Sequence, residues 1–249
     1  MSGHSKWSTI KHKKAATDAK RGKIFTRHAK EITLAAREGG GDLTVNVRLR
    51  LAVEKAKAVN MPKDNIERAI KRGTGELEGG ALEEVIYEGY GPHGIGILIE
   101  VVTDNRNRAI AELRHTFNKL GGNMAEAGAV AWQFSRRGYI SLDGPFDEDE
   151  VFLVAADAGA DDVTFEDGLA EVYTEIEMLQ EVRDSLEEAG YGLKEVNVIF
   201  VPNGTVELGK SEAVQVMKLV ETLEDLDDVQ NVYTTIEITD EAFAELAAV

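Results

Sequence analysis

No cysteine occurs anywhere in the 249 residues. That excludes disulfides, cysteine-ligated zinc and cysteine nucleophiles. No apolar run reaches the roughly 18–20 residues a membrane-spanning helix needs. The first residues, Met1 to Trp7, lack the apolar core of a secretory signal, so a cytoplasmic location is expected. Nucleotide-binding and catalytic signatures are missing too. Gly39-Gly40-Gly41 is followed by no Gly-Lys-Ser/Thr and comes after a helix, which rules out a phosphate loop. His4, His12, His28, His93 and His115 lack paired ligand spacing, so no metal site is expected. No serine sits in a nucleophile elbow. We therefore expect no enzyme, no cofactor and no small-molecule substrate.

What is present is charge, unevenly placed. The chain carries a formal −17, yet residues 1–80 hold 18 Lys+Arg against 9 Asp+Glu. Within residues 1–30 the count is 9 basic to 1 acidic, the acid being Asp18. The remaining 169 residues hold 10 basic against 36 acidic. Residues 143–200 alone carry 18 acidic and 2 basic side chains. A basic segment attached to an acidic body points to a polyanion partner for the first and a solvated surface for the second.

Hydrophobic spacing sets the organisation. Residues 1–15 carry Lys6, Lys11, Lys13 and Lys14 with only Trp7 and Ile10 as large apolar groups, too few to bury, and read as an arm. From Thr17, the residues Ile24, Phe25, His28, Ile32 and Ala35 share one helical face, and the glycine run at 39–41 ends that helix. A second helix is predicted over 44–59, and a third from Pro62 to Arg72, stopped by Gly73-Thr74-Gly75. Glu76 to Glu84, with Gly79-Gly80, reads as a linker.

Beyond it, strands are predicted at 84–90 and 94–102 around Gly91-Pro92-His93-Gly94, then a helix over 105–119 and a strand over 129–134. Residues 138–201 then spell strand, helix, two strands around Asp167-Gly168, helix, strand: the ferredoxin-like split order. A strand at 205–208, a helix over 211–226 and a strand over 229–238 follow, with a small terminal helix over 240–248. The flanking elements also count as βαββαβ. The expected fold is multi-domain α and α+β: an N-terminal three-helix bundle plus two ferredoxin-like units, one inserted in the other. The boundaries are 1–80 for arm and bundle, 81–134 with 204–249 for the discontinuous middle domain, and 135–203 for the acidic insert.

The candidate nucleic-acid-binding residues are Lys6, Trp7, Lys11, Lys13, Lys14, Lys20, Arg21, Lys23, Arg27 and Lys30 in the arm and first helix. Lysines and arginines that neutralise phosphates release counterions, so binding falls steeply with salt. Trp7 either stacks on an unpaired base or docks on the bundle. The second and third helices also invite a helix-turn-helix reading, in which Lys63, Asn65, Arg68, Lys71 and Arg72 face DNA. A second cluster, Asp104-Asn105-Arg106-Asn107-Arg108, offers Arg106 and Arg108 to a phosphate at a helix start, or simply caps that helix.

GHSKW (Gly3–Trp7), KRGKIFTRHAKEI (Lys20–Ile32), NMPKDNIERAIKRGTGE (Asn60–Glu76), YEGYGPHG (Tyr87–Gly94), TDNRNR (Thr103–Arg108) and DDVQNVYT (Asp227–Thr234) resemble the YebC/PmpR family over essentially the whole chain. The resemblance implies three domains, a helical N-terminal domain and a cytoplasmic DNA-binding regulator of transcription. It also implies an alternative, because other members work with the ribosome and assist elongation through difficult sequences, and one activates mitochondrial translation of cytochrome oxidase subunit one. The expected partner is thus DNA or ribosomal RNA, and through the latter the ribosome. No catalytic residue carries over. Val47, where proline is common in the family, and Ala109-Ile110 depart from the pattern without disturbing it.

Overall fold

A computed structural model describes residues 18–239 apart from Gly79 and Asp167, together with Ala242, with side chains from Gly22 onward. The expected arm over 1–17, Gly79 of the linker, Asp167 of the tight turn and all but Ala242 of the terminal helix lie outside the described residues.

The bundle consists of α1 (Asp18–Gly39), α2 (Val47–Ala58) and α3 (Lys63–Gly73). α2 begins three residues later than its apolar pattern suggests because Asn46 caps it. The Asn46 Oδ1 accepts from Leu49 N at 3.0 Å, while its Nδ2 donates to Ala35 O and Gly40 O at 2.8 and 2.7 Å. One buried amide thus satisfies the end of α1 and the start of α2 together. Ile32, Leu49, Val53, Met61 and Ile66 close the core, each large aliphatic contributing about 1.5–3 kcal/mol on burial. α3 lies hard against α1. A Cβ on Gly73 would stand 2.4 Å from Thr33 O, so only glycine permits this approach.

After the bundle come β1 (Glu83–Tyr90), β2 (Gly96–Thr103), α4 (Arg106–Lys119), β3 (Asn123–Met124), β4 (Phe134–Asp143), α5 (Glu148–Asp157), β5 (Asp162–Glu166), β6 (Leu169–Thr174), α6 (Leu179–Glu188), β7 (Leu193–Pro202), β8 (Val206–Glu207), α7 (Lys210–Glu224), β9 (Val229–Thr234) and β10 (Ile236–Glu237). The fold is multi-domain α and α+β, as the sequence implies. The described chain forms two compact units, Trp132–Thr205 and the rest.

The Trp132–Thr205 unit has the ferredoxin-like split order. Its sheet runs β5-β6-β4-β7, antiparallel throughout, over a core that includes Ile140, Val151, Val172, Val182 and Leu186. The buried Tyr139 hydroxyl donates to Glu171 Oε1 at 2.8 Å. Burial, reinforced by that carboxylate, pushes Tyr139 upward, so it stays a protonated donor.

In the other unit an antiparallel sheet of order β3-β1-β2-β9 packs on α4 and α7. Ile97, Ile99 and Val101 alternate along β2 toward Leu113, Phe117, Val216 and Leu223. The two-layer α+β build matches expectation, but the strands that fill it differ. β1 lies inside the sheet rather than ahead of it. Residues 129–133 contribute no strand, because the Glu88 carboxylate accepts from the backbone N–H groups of Gly128, Val130 and Ala131 at 2.6, 2.6 and 2.8 Å. Those donors are then lost to a ladder. The expected strand over 229–238 divides at Thr235, whose hydroxyl accepts from Gly96 N at 3.0 Å. β8 then pairs with β10 in a separate parallel ribbon.

Candidate nucleic-acid interface

Lys23, Arg27 and Lys30 recur at intervals of four and three, so they share a stripe of α1. That stripe meets the C-terminal end of α7. A helix leaves its last carbonyls without internal partners and a partial negative charge at that end. The last turn of α7 carries no basic residue of its own. The cations of α1 fill the need. Arg27 Nη2 donates to Glu224 O at 2.7 Å, Lys23 Nζ to the C-cap carbonyl Asp225 O at 2.8 Å, and Lys30 Nζ to Asp227 O, just beyond the helix, at 2.8 Å.

Lys30 also reaches Asp228 Oδ1 at 2.6 Å. Asp228 is the hub of this contact, with a side chain only 4% exposed. Its other oxygen accepts from Thr103 Oγ1 at 2.9 Å and Arg108 Nη2 at 2.7 Å. Burial alone would raise this carboxyl, but the hydrogen bonds from Lys30, Arg108 and Thr103 outweigh it and hold the group below its ordinary range.

The Asp104–Arg108 cluster is exposed, but its arginines likewise meet acceptors of the protein itself. Asn105 caps α4 by accepting from Arg108 N at 3.1 Å, Arg108 holds Asp104 at 3.0 Å as well as Asp228, and Arg106 pairs with Glu83 at 2.5 Å. The structure thus gives Lys23, Arg27, Lys30, Arg106 and Arg108 carbonyl or carboxylate partners within the protein. Lys20 and Arg21 lie on the α1 backbone with side chains outside the described residues. Lys6, Trp7, Lys11, Lys13 and Lys14 fall outside those residues altogether.

α3 presents the opposite case. Lys63 is exposed and 3.5 Å from Glu67, a weak pair one helical turn away. Arg68, Lys71 and Arg72 are exposed and have no side-chain partner among the described residues, and Lys57 at the end of α2 is equally open. Beside them runs a groove of about 160 Å³. α1 lends it Phe25, Thr26 and Ala29, and α3 with its preceding turn lends Met61, Asn65, Arg68, Ala69 and Arg72. The helix-turn-helix reading of the sequence touched α3. Nothing in the sequence marked the groove, since its two walls lie about forty residues apart on separate helices. Among the described residues, no group of three or more His, Asp or Glu could hold a metal ion, and no helix is long and apolar enough to cross a membrane.

Comparison with known proteins covers the same ground. A family model for the TACO1/YebC N-terminal domain matches residues 5–76, and one for the TACO1/YebC second and third domain matches residues 82–236. A protein of Trichlorobacter lovleyi named "Probable transcriptional regulatory protein" is 55% identical over 239 residues, covering 96% of this chain and 97% of its own. One of Geobacter sulfurreducens with the same description is 54% identical over 246 residues, 99% of this chain and all of its own. The crystal structure of a conserved hypothetical protein from Aquifex aeolicus superposes with a TM-score of 0.83 at 44% identity, covering 90% of this chain and 93% of that one.

Proposed function

The chain belongs to the TACO1/YebC family, and on that premise we propose that it is a nucleic-acid-binding regulator of gene expression that acts on DNA, without a catalytic step or a cofactor. Its cytoplasmic location and its division into arm and bundle, middle domain and acidic insert belong to the same proposal. The observation that carries it is the free cationic face of α3. Arg68, Lys71 and Arg72 are three charges on one short helix with no side-chain partner among the described residues, a disposition that suits a phosphate backbone. The arm adds charge of the same sign through Lys6, Lys11, Lys13 and Lys14, and a stacking ring in Trp7. The relatives' name, probable transcriptional regulatory protein, favours transcription and therefore DNA.

A second reading, a translation factor on ribosomal RNA, is favoured by the groove beside α3, because RNA exposes unpaired bases where duplex DNA does not. Binding to a promoter fragment, a scrambled fragment and purified ribosomes at one physiological salt separates the two. A specific-to-scrambled ratio above about 10³ is the outcome expected of a promoter reader. A ratio near one, with co-sedimentation on ribosomes, overturns the DNA reading in favour of the second. No binding to any of them overturns both.

A further inference from the structure

A phosphate-binding helix face needs no concavity, yet α3 has one. The groove between α1 and α3 is floored by Met61 and Ala69, both buried, and walled by Phe25. The side-chain amide of Asn65 lines it with no partner among the described residues, and Arg68 and Arg72 stand exposed at its edge. Gly73 lets α3 approach α1 closely, since a Cβ there would meet Thr33 O at 2.4 Å.

We infer that this groove seats one unpaired base of a single-stranded nucleic acid, with the flanking phosphates on Arg68 and Arg72. The inference rests on the nucleic-acid reading of the same face and narrows it. Size is the first argument. A space of about 160 Å³ is on the scale of one flat heterocycle. It falls below the roughly 300–1,000 Å³ of sites that enclose a whole small molecule, so its occupant is part of something larger.

Chemistry is the second argument. A base has apolar faces and polar edges. Phe25 and Met61 suit the faces, and an amide, with both donor and acceptor, suits an edge. Two arginines within one helical turn suit the phosphates on either side. Charge decides against the chain's own arm as occupant. Placing Trp7 in the groove would bring its chain neighbour Lys6 toward Arg68 and Arg72. A duplex is disfavoured because its bases are paired and would first have to be extruded.

The test uses the full chain with three labelled oligonucleotides of one sequence, about twelve nucleotides long: RNA, single-stranded DNA and duplex DNA, at fixed salt. Wild type is compared with Asn65→Ala and Phe25→Leu, which keeps an apolar side chain against the bundle, and circular dichroism checks that each variant folds. At least one single strand is expected to bind about fivefold or more tighter than the duplex. Each variant is expected to lose about fivefold on that strand with little change on the duplex, the low end of a base–aromatic contact. The strand that binds tighter names the source of the base. Equal affinity for strand and duplex, or variants that leave strand binding intact, overturns the base seat while the phosphate-binding reading of α3 survives. Tighter strand binding by Trp7→Ala also overturns it, because the arm would then be the occupant. Failure to bind any polymer removes both readings.

Discussion

α1 and α3 are neighbouring helices of one bundle and each carries lysine and arginine along one face, yet they face opposite fates. On α1, Lys23, Arg27 and Lys30 meet the carbonyl end of α7 and the buried Asp228. On α3, Arg68, Lys71 and Arg72 meet nothing among the described residues. The difference lies in what is opposite each helix. A helix C-terminus is a fixed acceptor with partial negative charge, and it competes with a phosphate for lysine and arginine. A count of basic residues therefore overstates the binding surface. The number available is the count left after the protein's own acceptors are served.

The contrast can be broken in several ways. The largest effect is expected at its hub. Asp228→Ala leaves Lys30 and Arg108 without their buried partner. A loss of about 3 kcal/mol in urea unfolding is expected, the low end for a broken buried pair because Arg108 can turn back to water. A loss below about 1 kcal/mol would show that the bundle does not depend on this contact.

Crossed variants come next. Replacing Arg68, Lys71 and Arg72 together with Ala should weaken nucleic-acid binding roughly 30-fold at low salt. It should also flatten the log–log salt slope by about 2.7, at roughly 0.9 per phosphate on duplex DNA, with stability little changed. Replacing Lys23 and Arg27 should do the reverse, costing about 1 kcal/mol of stability with less than a twofold change in affinity. If the two sets exchange effects, the assignment of faces is wrong.

The smallest effect is the pH response. Asp228 and Glu88 are both held below their ordinary range, Glu88 because three backbone N–H bonds outweigh its burial. Each therefore stabilises fully above the unfolded carboxylate value, about 3.9–4.3, and that stability is lost as pH falls through the folded value. Melting temperature should fall more steeply between about pH 5 and pH 3 in wild type than in Asp228→Asn. Parallel curves would remove Asp228 from the acid response.

Much of the fold was legible. The bundle could be read because its helices bury regular stripes such as Leu49, Val53 and Ala56, and because glycine runs and Pro62 punctuate them. The acidic unit could be read because each of its strands and helices is a short local pattern. Where the pattern misled, a distant polar group had claimed the backbone. The apolar run at 129–134 reads as a strand, but Glu88, some forty residues earlier, takes its N–H groups. The candidate site was less legible for the same reason. Lys23 finds its acceptor at Asp225, 202 positions away, and no periodicity reports such a pairing.

The sequence by itself determined the element types, the bundle ahead of the α+β body, the family, and a basic segment joined to an acidic one. Propensity, periodicity and composition are local sums, and they survive without knowledge of neighbours. Only the tertiary structure decided which cations are free. It set α7 against α1, gathered Lys30, Thr103 and Arg108 on Asp228, and left the α3 face and its groove uncovered by any other described residue. Availability of a charge depends on what is packed within hydrogen-bond reach, and packing is a property of the folded chain.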